Sequence, residues 1–205
     1  MVDMLQLLVL SGVFVGAYVV GSLPFGVMTS RLMGKSDPRA SGSGNIGATN
    51  VARASGYGAG ALTLLGDGGK GFIVLYGGAM VAPEPVALGI ALIAVVLGHM
   101  FPFWLRFRGG KGVATTLGAA LALSPFAFVG FLATWGSVLW ITRYVSVASI
   151  ISAWTLPLWL FAEGRPMTLV YASGVVAALV TFAHRSNIAL LRRGEEEKML
   201  GARET

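Results

Sequence analysis

Three short polar stretches carry most of the side chains in this chain that could do chemistry. The first is Gly42-Ser43-Gly44-Asn45-Ile46-Gly47-Ala48-Thr49-Asn50, with Arg53 close behind. Its glycines leave backbone N–H groups with little steric cover, and Arg53 adds a positive charge. Exposed N–H groups beside a guanidinium suit an anion, phosphate above all. The second is Gly109-Gly110-Lys111-Gly112-Val113-Ala114-Thr115. It opens a helix, so that free N–H groups and the Lys111 ammonium face whatever lies there. It is not a Walker A motif, because Leu105 stands where the first glycine belongs and Gly112 where a Ser or Thr belongs. The third is His184-Arg185-Ser186-Asn187-Ile188, in which His184 and Asn187 share a face if the helix continues. Each stretch also has a plainer reading: small residues at a tight helix connection, a flexible basic loop, and an interfacial histidine.

Other chemistries are poorly provided for. The chain has no cysteine, which excludes disulfides, thiolate nucleophiles and thiolate metal sites. Its carboxylates are few and scattered, so no metal site is expected. Ser43 as a covalent nucleophile lacks an identifiable paired base. His99 reads as a packed or interfacial residue beside Phe101-Pro102. Ser146 and Ser149 lie on one helix face, where serine more often cements helices than touches a ligand; Ser149 leans toward function for a reason given below.

The elements that must position these residues are membrane helices. Of the 205 residues, 55% are hydrophobic and 12% charged, against about 25% charged in a soluble domain, and the mean hydropathy is +0.75. Such a chain is expected to be an all-α membrane protein, a single domain over residues 1–205. The net charge of +6 then speaks to orientation and not to nucleic acid. An apolar run from about residue 4 to 28 is too long for a signal-peptide core, and Ser22-Leu23-Pro24-Phe25-Gly26 should kink it near its end. Six further apolar segments follow at about 68–82, 86–104, 112–124, 126–142, 145–162 and 166–184.

These make seven transmembrane helices, several of them short. The segments at 68–82 and 112–124 both begin at Gly-Gly-Lys-Gly and resemble broken helices that point their N-termini into a cavity. Seven crossings put the chain ends on opposite sides. With the C-terminus cytoplasmic and the N-terminus outside, every basic residue but Arg165 falls on the inner segments, which fits the positive-inside rule. The polar loops then form a site on the cytoplasmic side. The tail from Arg192, with Glu195-Glu196-Glu197, reads as a solvated helix that partly frays.

Taken together, the motifs Gly42-Ser43-Gly44-Asn45-x-Gly47-Ala48-Thr49-Asn50-x-x-Arg53, Gly109-Gly110-Lys111-Gly112-Val113-Ala114-Thr115 and His184-Arg185-x-Asn187-Ile188 resemble the PlsY family of bacterial acyl-phosphate:glycerol-3-phosphate acyltransferases. Asp67, Lys70-Gly71, and Tyr144-Val145-Ser146 with Ser149 also look family-like, and the likeness covers nearly the whole chain. The resemblance implies a seven-helix enzyme of the bacterial inner membrane with its motifs facing the cytoplasm. It implies that a fatty acyl group passes from acyl phosphate to glycerol 3-phosphate, giving lysophosphatidic acid and phosphate in the first acylation of phospholipid synthesis. Acyl-CoA and acyl carrier protein would not be direct donors, and no cofactor is implied. Membrane lipid is the remaining partner, and the working unit is expected to be a monomer.

By that resemblance Ser43, Arg53, Lys111 and Asn187 would contact glycerol 3-phosphate or its phosphate. Gly109, Gly110, Lys111, Gly112 and His184 would surround the acyl phosphate, helped by Ser149. Gly42, Gly44, Asn45, Gly47, Thr49 and Asn50 would complete the phosphate-binding set. Two phosphate-bearing substrates need two anion sites, and Arg53, Lys111 and two glycine loops can supply them. The base is open. The His-x-x-x-x-Asp pattern of the other glycerol-phosphate acyltransferases is missing, since Trp104 and Ala189 stand at that spacing from His99 and His184. A substrate phosphate could take the proton, with His184 as the rival. A transporter for a small anion or phosphate ester would instead place polar residues near the bilayer midplane. A scaffold without chemistry would leave the first island unexplained.

Overall fold

The computed structural model describes residues 3–199. Ten α-helices run through them: α1 (Met4–Gly21), α2 (Phe25–Leu32), α3 (Ala48–Ser55), α4 (Tyr57–Val81), α5 (Pro85–Met100), α6 (Val113–Leu123), α7 (Pro125–Thr142), α8 (Val145–Ala162), α9 (Met167–Ala183) and α10 (Arg185–Arg193). Short 3-10 turns lie at Pro38–Ala40 and Phe103–Leu105. No strand occurs among the described residues.

The break between α1 and α2 falls at Pro24, which lacks an N–H and disfavours helix at the residue before it. The two pieces together make one apolar run of 29 residues. α5 and α7 start on Pro85 and Pro125, where the missing N–H costs nothing. The Ser124 hydroxyl accepts from Ala127 N–H at 2.9 Å and caps α7.

The core is built from Ala, Val and Leu on α5, α8 and α9, with Phe131 of α7 the largest fully buried side chain. The outer surface is apolar as well: Leu5, Leu65, Trp140 and Val81 are exposed. Apolar side chains around the whole girth need lipid, not water, as solvent. Among the described residues, four helical runs are long and apolar enough to cross a membrane, or five if the bent pair α9–α10 counts as one. α6, with 11 residues, reaches only about 16 Å of the roughly 30 Å hydrocarbon core.

Two expectations need correcting. The Gly-Gly-Lys-Gly at 68–71 does not open a short helix; it lies in the middle of α4, which is 25 residues long. Gly68 and Gly71 serve close packing there. A Cβ on Gly71 would stand 2.1 Å from the Thr115 carbonyl oxygen, and one on Gly118 would stand 1.8 Å from that of Gly68, so α4 and α6 touch backbone to backbone. Lys70 is consequently buried inside the bundle and not placed in an inner loop.

The second correction concerns the tail. Its described part does not continue as a helix past Arg193: α10 stops at Gly194, which takes the left-handed conformation (φ 71°) that suits glycine. Residues 195–199 then turn back toward α3 and the α7–α8 connection, where Met199 N–H donates to the Arg143 carbonyl at 2.9 Å. The part of the tail from 200 to 205 lies outside the described residues.

Candidate active site

The first polar stretch is a compact turn leading into α3, and Asn50 holds it together. The Asn50 amide donates to the carbonyls of Pro38 (2.8 Å), Ser41 (3.2 Å) and Asn45 (2.8 Å), and its Oδ1 accepts from Ser43 N–H at 2.9 Å. Asn45 Oδ1 accepts from Gly47 N–H at 2.7 Å. Both asparagines, read from sequence as phosphate ligands, spend their side chains on the loop itself. Gly42 (φ 59°) and Gly44 (φ 67°) supply the left-handed corners, and a Cβ on Gly42 would strike Asn50 Oδ1 at 2.3 Å. What the turn leaves available is the exposed Ser43, whose hydroxyl has no hydrogen-bond partner among the described residues, the half-buried Thr49, and Arg53 on α3.

The second stretch folds back on the end of α5. Gly109 N–H donates to Met100 O and Gly110 N–H to His99 O, both at 3.0 Å. These two N–H groups are therefore not free to cradle an anion, as the glycine pattern suggested. The loop's own offering is the Lys111 side chain, at the mouth of α6, with Gly112 (φ 82°) making the turn into that helix. The third stretch sits where α9 and α10 meet at a 54° bend. His184, just past the end of α9, is buried. Its Nδ1 lies 2.8 Å from the Val180 carbonyl. A carbonyl only accepts, so Nδ1 carries the proton and Nε2 the lone pair.

These three stretches meet. Lys111 Nζ donates to Asn187 Oδ1, 76 residues away in sequence. Asn187 Nδ2 donates to Glu196 Oε1 at 2.9 Å, and Arg53 pairs with Glu197 at 3.1 Å. Burial holds the Lys111 ammonium below the usual lysine range; the Glu196 carboxylate opposes this and the nearby Arg53 adds to it. His184 is lowered to about 4, by burial first and then by the Lys111 charge, and stays neutral at pH 7. These influences put Arg53, Glu196 and His184 within electrostatic range of Lys111.

Ser149 is the exception among the candidates. It is buried on α8 and accepts from Trp135 Nε1 at 3.3 Å, with no hydrogen bond to the other named residues. Among the described residues no three His, Asp or Glu side chains gather as a metal site would require.

Glu196 and Glu197 were missed, because a run of glutamates past a basic helix end reads as solvent-facing. Gly194 was the available signal, as a helix stop that sends the chain back. A second basic feature flanks the site, a cavity of about 710 Å³ lined by Arg31, Arg39, Arg106 and Arg108 over Val27 and Met28. It would draw anions toward this end of the bundle.

The fold is that of a multi-pass helical membrane protein, and its helix ends gather one polar site suited to anions. The chain belongs to the glycerol-3-phosphate acyltransferase family, whose model matches residues 11–194. A glycerol-3-phosphate acyltransferase of Bordetella pertussis (strain Tohama I) is 44% identical over 201 residues, covering 95% of this chain and 94% of its own length. One from Syntrophotalea carbinolica is 44% identical over 184 residues, covering 89% of this chain and 93% of its own. The crystal structure of PlsY (YgiH), an integral membrane glycerol 3-phosphate acyltransferase, in its glycerol 3-phosphate form has a TM-score of 0.87 and 38% identity, covering 93% of this chain and 95% of that one. Its lysophosphatidic acid form has a TM-score of 0.85 and 37% identity, covering 92% and 94%.

Proposed function

We propose that this protein transfers an acyl group from acyl phosphate to glycerol 3-phosphate, releasing lysophosphatidic acid and phosphate. The observation that carries the reading is the junction of Lys111, Asn187, Arg53 and His184, drawn from three distant stretches into one anion-receiving site. Family membership supports the acyltransferase and its glycerol 3-phosphate acceptor. The acyl-phosphate donor follows from the motif resemblance and from a site with cations enough for two phosphoryl groups.

In this reading Lys111 and Arg53 hold phosphoryl oxygens, Asn187 and Ser43 orient them, and Glu196 keeps Asn187 in place. A glycerol hydroxyl oxygen attacks the acyl carbonyl carbon. The new C–O bond forms, negative charge develops on the carbonyl oxygen beside the cations, and the bond to the phosphate oxygen then breaks. The hydroxyl proton goes to a substrate phosphate. His184 is a poor base for this step, because burial and Lys111 hold its pKa at about 4. Its neutral ring instead adds a polar wall to the site.

The chain works as a single domain, crosses the inner membrane seven times as a monomer, and has this site on the cytoplasmic side. The distribution of basic residues along the sequence supports that orientation.

The test is to supply purified protein with acyl phosphate, with and without glycerol 3-phosphate, and to follow phosphate and lysophosphatidic acid together. Equal amounts of both are expected, only when the acceptor is present, with no product from acyl-CoA. Phosphate released without acceptor would mean a phosphatase. In the same assay His184→Gln is expected to keep a substantial part of kcat, and wild-type kcat to show no histidine ionisation between about pH 5.5 and pH 8. Complete loss of kcat in His184→Gln, with substrate binding intact, would make His184 the base.

A further inference from the structure

Behind the loop at 109–112 lies a group of buried polar side chains that acyl transfer does not use. Asp67 and Lys70 are one turn apart on α4, and His99 is in the last turn of α5; they are 1%, 3% and 3% exposed. Lys70 Nζ stands 2.9 Å from Asp67 Oδ1, donates to the Leu23 carbonyl at the α1–α2 break (3.1 Å), and lies 2.8 Å from His99 Nδ1. Asp67 Oδ1 has no aligned hydrogen-bond donor, so the carboxylate is held by charge. An ammonium only donates, so Nδ1 of His99 accepts and the ring proton sits on Nε2.

That nitrogen faces Gly110. A Cβ there would stand 1.9 Å from His99 Nε2 and 2.6 Å from Cε1. The main chain ties the same two segments together, Gly110 N–H to His99 O and Gly109 N–H to Met100 O. Stability alone does not account for the cluster, because burying an ion pair in an apolar bundle gains little over well-packed apolar side chains. Its place against the loop does account for it.

We infer that Asp67, Lys70 and His99 are positioning residues for the Gly109–Gly112 loop. The Lys70 ammonium locks the His99 ring, the ring is the floor on which Gly110 rests, and the loop so fixed presents Lys111 to the substrate phosphoryl group. The substrate this loop serves, acyl phosphate, rests on the function proposed above; the positioning itself does not. It also gives a reason for glycine at 110, since any side chain would have to displace the ring.

The charge-balanced variant Asp67→Asn/Lys70→Met removes the lock without stranding a charge. Two readouts in purified full-length protein test it. Backbone amides at 109 and 110 are expected to exchange hydrogen about tenfold faster or more, while those in the middle of α5 do not change. KM for acyl phosphate is expected to rise about tenfold, and KM for glycerol 3-phosphate to rise with it, because Lys111 receives the phosphoryl groups of both substrates.

If that variant does not reach the membrane folded, His99→Gln is the second one, because it lacks the Nδ1 acceptor; the same pattern is expected. His99→Ala/Gly110→Ala separates positioning from space filling. Were His99 only a filler, removing the ring and adding a methyl would restore wild-type KM; positioning predicts that KM stays high. Unchanged exchange at 109 and 110, or a lowered melting temperature with both KM values unchanged, would overturn the inference. Wild-type protein that fails to use acyl phosphate would overturn the function instead, and the exchange result would still decide the positioning.

Discussion

Replacing Lys111 by methionine is expected to lower kcat/KM by about a hundred- to a thousandfold while leaving the bundle folded, a size typical for loss of one preorganised charge donor. Methionine keeps the apolar stem and removes only the ammonium. That ammonium links the second and third polar stretches through Asn187, and it lies close enough to Arg53 and His184 to shift its own ionisation and that of the histidine. Lys111→Arg should recover part of the loss. Its charge is right, but its broad planar head does not fit where a compact ammonium meets one amide oxygen. Wild-type turnover in Lys111→Met, measured with saturating glycerol 3-phosphate, would remove Lys111 from the mechanism.

Gly118→Ala should be the most damaging single methyl in the membrane-embedded part. The new Cβ would stand 1.8 Å from the backbone oxygen of Gly68. No flexible side chain can swing aside, so α4 and α6 must move apart by more than an ångström. A loss of about 3 kcal/mol is expected, at the upper end for overpacking. The position controls the site, because α6 carries Gly112 and Lys111 at its mouth and α4 carries Lys70 behind them. Gly136→Ala on α7 is the control: nothing lies within 4 Å of its Cβ, and alanine there should be neutral or slightly stabilising. Equal melting temperatures for the two variants would show that the helices do not approach as closely as described.

Much of this arrangement was legible in the sequence, for specific reasons. Pro24 announced the break in the first apolar run, because a missing N–H is a local property. The three polar stretches stood out because small and charged residues are rare in so apolar a chain, and two of their side chains, Lys111 and Asn187, bond to each other. What sequence could not say was which polar groups would be consumed internally. Asn50 looks like a ligand and is the loop's keystone, and the N–H groups of Gly109 and Gly110 look free and are bound to α5. The glycines at 68–71 read as a helix start because glycine punctuates most helices; here Gly68 and Gly71 serve contact with α6, a property of two segments some 45 residues apart. Glu196 was hidden by its neighbours, since three glutamates in a row have the pattern of a solvated tail. The burial of Asp67, Lys70 and His99 together was equally invisible, because each partner lies on a helix whose register sequence does not fix.

The central claim is that Arg53, Lys111 and Asn187 form one receiving site for a substrate phosphoryl group. Equilibrium binding of glycerol 3-phosphate to purified protein, by calorimetry, tests it most directly in wild type and in Arg53→Met, Lys111→Met and Asn187→Ala. A charge-assisted hydrogen bond contributes about 1.5–3 kcal/mol, so each variant is expected to bind about ten- to a hundredfold more weakly. Wild-type affinity in any two of the three would mean that the stretches meet without sharing a ligand, and would contradict the account.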